Sequence, residues 1–202
     1  MPIRRFSGGT CTLTSSALAA GTHAITARFP ASARYAASVS GSLSQAVAPA
    51  STTTTVVSSN AASTYLAPVT FTVSVRGVNG TVPAGLVSLS DGGLAIGSCT
   101  LGSLTATSCT FSTAALTVGN HSLTAYYNGD ANRAPSLSAV RTQTVNTVTT
   151  TTTLTSSANP VAYGTAITFT AVVSTPSATG TVSFSDGTSG DRKSTRLNSR
   201  HR

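Results

Sequence analysis

Apolar and polar residues alternate along the middle of this chain. Val69, Phe71, Val73 and Val75 take turns with Thr70, Thr72, Ser74 and Arg76, the period of a strand with one face packed and the other wet. The same alternation recurs at Val87 and Leu89 against Ser88 and Ser90, and at Leu123, Ala125 and Tyr127 against Ser122, Thr124 and Tyr126. A Thr-rich opening strand over about 52–58, two short strands around 94–101 and 107–112, and a last strand around 137–145 bring the count to seven. Turns at Asp91-Gly92, Leu101-Gly102-Ser103 and Asn128-Gly129-Asp130 punctuate them. Short strands at this spacing predict an immunoglobulin-like β-sandwich. No stretch carries a helical period, so an all-β fold with almost no helix is expected.

The pattern is also repeated. Residues 10–47 align without a gap on 108–145, a shift of 109 − 11 = 98, and Phe71 falls on Phe169 at the same interval. Ser90-Asp91-Gly92 meets Ser185-Asp186-Gly187 after a three-residue deletion. The apolar side of the strands is kept at Ile25, Ala27 and Phe29, at Ile167 and Phe169, and at Val182 and Phe184. The chain therefore reads as tandem immunoglobulin-like sandwiches, one complete and two partial. Residues 1–47 are expected to be the C-terminal part of a truncated repeat, 51–145 a complete repeat, and 149–188 the N-terminal part of another. Met1 aligns with Cys99, and residues 1–7 match nothing in the repeat, which puts the start codon in question. Tandem β units generally act as spacers or binding surfaces, because repetition adds length and seldom chemistry.

The formal charge of +8 raises the question of nucleic acid, and its distribution answers it. Residues 191–202, DRKSTRLNSRHR, hold five basic side chains and one acid, so they carry half of the net charge. Over 51–145, Arg76, Arg133 and Arg141 stand against Asp91 and Asp130, a net of +1. A nearly neutral body argues against a phosphate-binding surface, and no nucleic-acid partner is expected. The tail resembles the conceptual translation of a short-read sequencing adapter, contains the only Lys, and begins where the repeat pattern breaks; it is read as non-native. The rest has no Glu and no Trp and is dominated by Thr and Ser, a composition that favours strands. No apolar run reaches 18 residues, so no membrane span is expected.

Four segments in combination carry a family resemblance: TTTLTSSANP at 151–160, GTVSFSDG at 180–187, AGTHAITA at 20–27 and YNGDAN at 127–132. Together they resemble the bacterial Ig-like domain repeat, group 3 type, over residues 9–188. The resemblance implies a large secreted or surface-anchored bacterial protein with many tandem sandwiches, often the stalk of an adhesin. Its expected location is extracellular or on the cell surface. The expected role is a non-catalytic structural or adhesive repeat, with neighbouring repeats of the same chain as its immediate partners and a host or cell-surface protein or glycan as a further one. Two rivals stay open: a glycan- or protein-binding module, and an accessory domain of a secreted hydrolase.

Candidate chemistry is sparse. Before the tail the acidic and imidazole groups are Asp91, Asp130, Asp186, His23 and His121. Each Asp adjoins Gly in a turn, where Asp ordinarily hydrogen-bonds nearby backbone. His23 and His121 are repeat equivalents opening the same strand, and one His per unit builds no zinc site. No Ser-His-Asp triad or glycosidase-type carboxylate pair can be assembled in one unit. Asp91 and Asp130 are expected at opposite ends of one sandwich, so calcium could be shared only between consecutive repeats, where two carboxylates would make a weak site. No catalytic, cofactor or metal residue is therefore assigned. A glycan platform would need exposed aromatics, and Tyr126 is the one outward-facing candidate, replaced by Arg28 in the first unit. Cys99 and Cys109 lie on successive strands, both on the core side set by Leu101 and Phe111, and are expected to form a disulfide. Two reduced buried thiols are the alternative. Cys11 matches Cys109, but Met1 occupies the position of its partner.

Overall fold

The computed structural model describes residues 9–78, 83–102, 107–175 and 178–186, together with the backbone of 193–196. No α-helix occurs among the described residues, and no helix is long and apolar enough to cross a membrane. The chain divides into two compact units, Met1–Asn146 and Thr147–Arg202.

The first unit opens with four short strands, β1 (Gly21–Ile25), β2 (Arg28–Phe29), β3 (Ser38–Val39) and β4 (Leu43–Val47). β1 pairs with β4 and β2 with β3, both antiparallel. Next come β5 (Thr52–Ser58), β6 (Ala62–Thr64), β7 (Val69–Gly77), β8 (Gly85–Asp91), β9 (Leu94–Leu101), β10 (Ser108–Thr113), β11 (Gly119–Tyr127), β12 (Ser136–Leu137) and β13 (Arg141–Asn146). They build two sheets. One has the order β10-β7-β5; the other runs β6-β13-β11-β8-β9, with β12 beside β11.

The facing sides of these sheets hold the core that the alternation predicted. β7 contributes Val69, Phe71, Val73 and Val75, and opposite it lie Val87, Leu89, Leu123, Ala125 and Tyr127, all at 1% exposure or less. Withdrawing a side chain such as Phe71 from water stabilises by about 1.5–3 kcal/mol, so this one layer dominates the stability of the fold. Every buried residue among those described lies between Thr54 and Val145.

Nine strands over 52–146 replace the seven expected. β6 went unread because it is three residues long and is held only by parallel pairing with β13. It arises where the chain leaves the first sheet after Ser58 and joins the second. The expected last strand is broken in two because Ser138 turns inward: its hydroxyl accepts the Ala125 amide at 2.9 Å, and its own amide donates to the Ala125 carbonyl at 2.9 Å. The hairpin at Asp91-Gly92 forms as expected, with Gly92 and Gly93 both at positive φ as a tight two-residue connection requires. Ser103 of the other expected turn lies outside the described residues.

The second unit contains β14 (Thr152–Ser156) paired with β15 (Phe169–Val173), and β16 (Thr181–Phe184) paired with β17 (Lys193–Arg196). The other residues of the basic tail lie outside the described ones. Here the apolar alternation persists without burial: Phe169 is 54% exposed and Ile167, which precedes β15, is 38% exposed. Ile25 and Phe29 near the N-terminus are only half-buried. An alternating strand acquires a dry face only when an opposing sheet supplies one.

Candidate functional site

Loops at the two ends of the 52–146 sandwich hold its few ionisable groups. β8 and β11 run antiparallel with Leu123 opposite Asp91 and Tyr127 opposite Val87. Asp91 and Asp130 therefore sit at opposite ends, as expected, and share no ligand.

At one end Asp91 closes β8. Its Oδ1 accepts the Ser122 amide at 3.0 Å and its Oδ2 accepts His121 Nδ1–H at 2.6 Å. The other ring nitrogen of His121 donates to the Thr117 carbonyl at 2.8 Å. Both acceptors can only accept, so the ring satisfies both as the imidazolium. The Thr117 carbonyl raises the His121 pKa above 6.5, burial opposes it, and the Asp91 carboxylate adds to the rise. This His–Asp pair looks like part of a catalytic triad but has no nitrogen left to act as base. It joins the β8–β9 hairpin to the turn before β11. His23 repeats half of the arrangement, donating to the Ala19 carbonyl at 2.8 Å.

At the other end the turn after β11 is built around Asp130. Its carboxylate accepts the Ala84 amide at 3.1 Å, the Asn132 amide at 2.9 Å, the Arg133 guanidinium at 2.8 Å and the Tyr127 hydroxyl at 3.1 Å. Burial alone would raise this carboxyl; the four donors outweigh it and hold the pKa at about 2, against an ordinary 3.8. Burial and the adjacent carboxylate push Tyr127 up to about 12, so its hydroxyl stays protonated and donates to the Ala84 carbonyl at 2.6 Å as well. Gly129 has φ +84°, and a Cβ there would lie 2.7 Å from the Arg133 carbonyl oxygen. Any side chain would open this turn.

The Asp-in-turn reading thus understates both residues. Each also ties strands together over 30 or more positions, a long-range role that local turn chemistry does not reveal. Asp186 lies two residues beyond the end of β16. Among the described residues no group of three His, Cys or Asp side chains could hold a metal ion.

Cys99 and Cys109 come together with Cα atoms 6.4 Å apart and sulfurs in bonding contact. They lie on successive strands, as expected, but the two strands belong to different sheets. β9 is the edge of one sheet and β10 the edge of the other, so the link crosses the open side of the sandwich. Cys11 is exposed and unpaired. Tyr126 is 42% exposed on the outer face of β11, but Tyr65 in the loop after β6 is exposed to 43%. Tyr126 is therefore not the one outward-facing aromatic of the domain; the strand pattern could not place Tyr65 because it belongs to no long strand.

A cleft of about 670 Å³ in the second unit is lined by Leu154, Phe169, Ala171, Val182 and Phe184. By the repeat alignment Phe169 and Ala171 occupy the positions of Phe71 and Val73, while Val182 and Phe184 occupy those of Val87 and Leu89. All four counterparts are buried in the first unit. The cleft thus lies against strand positions whose repeat equivalents form the core of the first unit, with Thr152, Ser183, Ser185 and Asp186 as its polar lining.

No curated protein matches the chain. Among solved structures, it is similar to the fibronectin(III)-like modules of Clostridium thermocellum CbhA, at 15% identity and a TM-score of 0.37, covering 64% of this chain and 65% of that one. Residues 54–146 match the family model of the bacterial Ig-like domain, group 3. That match spans both sheets and the whole buried core, so it is the all-β sandwich of this chain that is similar to the group 3 bacterial Ig-like domains.

Proposed function

We propose that the chain is part of a tandem array of Ig-like domains, a non-catalytic structural or adhesive element of a bacterial secreted or cell-surface protein. The 98-residue repeat carries this reading, because reuse of one sandwich extends a protein without adding a reaction centre. The ionisable side chains fit it: Asp91 and His121 tie the turn before β11 to the β8–β9 hairpin, and Asp130 holds the turn after β11. A Cys99–Cys109 disulfide would suit an oxidising, extracellular compartment. Neighbouring repeats are then the constant partners, and a host or cell-surface protein or glycan is met by the array as a whole.

Stretching the chain between its ends tests the mechanical reading. One unfolding event should release on the order of 30 nm, the extended length of about 95 residues less the folded span. Reduction should lengthen the step by about 3–4 nm as the loop between the two cysteines is freed. Smooth extension with no unfolding event would overturn the proposal.

A further inference from the structure

We propose that the turn after β11 is a latch that fixes the 51–145 repeat to the one before it, making that joint rigid. The proposal rests on the tandem-array reading and adds the residues that would set the angle of the array. Asn132, at the tip of this turn, accepts the Ala20 amide through its side-chain oxygen at 2.8 Å. Ala20 belongs to the preceding repeat, in the turn just before β1, and stands 112 residues away in sequence.

The linker enters the same turn. The Ala50 amide donates to the Asn132 carbonyl at 2.8 Å, and the Ala134 amide donates to the Ala50 carbonyl at 2.8 Å. Ala50 thus lies parallel to Arg133 as a one-residue strand. Thr52 continues the grip, its hydroxyl bonding the Ala134 carbonyl at 2.9 Å. A short Ala- and Pro-containing segment would otherwise turn freely about Ala50, and these bonds remove that freedom.

Both halves of the latch are formed in advance. On the acceptor side Asp130 holds the Asn132 amide and the Arg133 guanidinium, so the Asn132 side chain leaves a turn that is already set. On the donor side His23 holds the Ala19 carbonyl, orienting the peptide whose N–H is that of Ala20. The donor side recurs at the repeat interval. His121 holds the Thr117 carbonyl in the same way, and Val118 stands 98 residues beyond Ala20. At this joint the first repeat therefore presents a His-braced turn and the next an Asp-braced turn; Ser32 and Arg34 stand in the first repeat where the next has Asp130 and Asn132, so the acceptor half belongs to residues 51–145. Asn132 is the residue that joins them, and Asp130 is its positioning residue.

Amide hydrogen exchange on the full chain, read residue by residue, tests this. In the native protein Ala20 and Ala50 should both be protected. Asn132→Ala should speed exchange at Ala20 about fivefold to tenfold, the effect of one net hydrogen bond, and leave the core amides of Leu123 and Val145 unchanged. Asn132→Asp keeps a side-chain acceptor and should retain the Ala20 protection, which a merely structural role of Asn132 would not predict. An unprotected Ala20 in the native chain, or equal protection in Asn132→Ala, would overturn the latch. If that result came with an intact unfolding step under force, the array reading would stand with a flexible joint.

Discussion

Replacing Asp130 by Asn removes the charge on which the turn after β11 converges, while keeping the side chain's size. In the folded chain the carboxyl is held at about 2 against an ordinary 3.8. At roughly 1.4 kcal/mol per pKa unit, the difference of 3.8 − 2 makes the charged state favour folding by about 2–3 kcal/mol. The side chain is only 15% exposed, so solvent screening takes little from this figure. The variant also turns an amide NH₂ toward a site of four donors, which acts in the same direction. A domain of about 95 residues loses about 4–8 °C of Tm per kcal/mol, so Asp130→Asn should melt about 10–20 °C below the native chain at pH 7.

The pH dependence has a definite sign. A carboxyl whose pKa is lower when folded stabilises above its unfolded value and loses that contribution as pH falls through the folded one. The native chain should therefore give up this advantage between about pH 4.5 and pH 2, and the two melting curves should converge there. Scanning calorimetry at pH 7, 4 and 2.5 measures both effects without a Trp reporter, which the chain lacks. A Tm within about 3 °C of the native value at pH 7, or a gap that stays constant down to pH 2.5, would refute the assignment of Asp130 as the organiser of this turn.

His121→Ala should destabilise by about 1–2 kcal/mol, most strongly below pH 6.5, because a raised folded pKa stabilises below the unfolded value and its contribution fades as pH rises through the folded one. Urea unfolding at pH 5.5 and pH 9 reads the difference, and an equal penalty at both would contradict the imidazolium bridge. Thiol titration of the oxidised chain in denaturant should find one free thiol, mapped to Cys11, with Cys99 and Cys109 joined. Reduction should then remove roughly 2.5–3 kcal/mol in the chain-entropy picture of an eleven-residue loop, while three free thiols would reject the pairing.

The sequence by itself determined the sheet-forming stretches and their inner faces. Strand alternation is local, so Phe71, Val73, Leu123 and Tyr127 could be assigned inward from their neighbours alone, and all are buried. The 98-residue interval was equally legible, as was the separation of Asp91 from Asp130, which follows from antiparallel strand order. What those side chains do was decided only in three dimensions. Asp130 finds the Ala84 amide 46 residues away, and Asp91 finds Ser122 at a separation of 31. Gln143 is wholly buried because Ser58 and Ser63 meet its amide from 85 and 80 residues away. The allocation of β9 and β10 to different sheets, which makes the Cys99–Cys109 contact a clasp across the open edge, depends on pairings with β8 and β7. Whether an apolar stripe becomes a core is also a tertiary matter. Phe71 and Phe169 share one repeat position, yet one is buried and the other 54% exposed, because burial requires a second sheet and a residue's own strand cannot provide it.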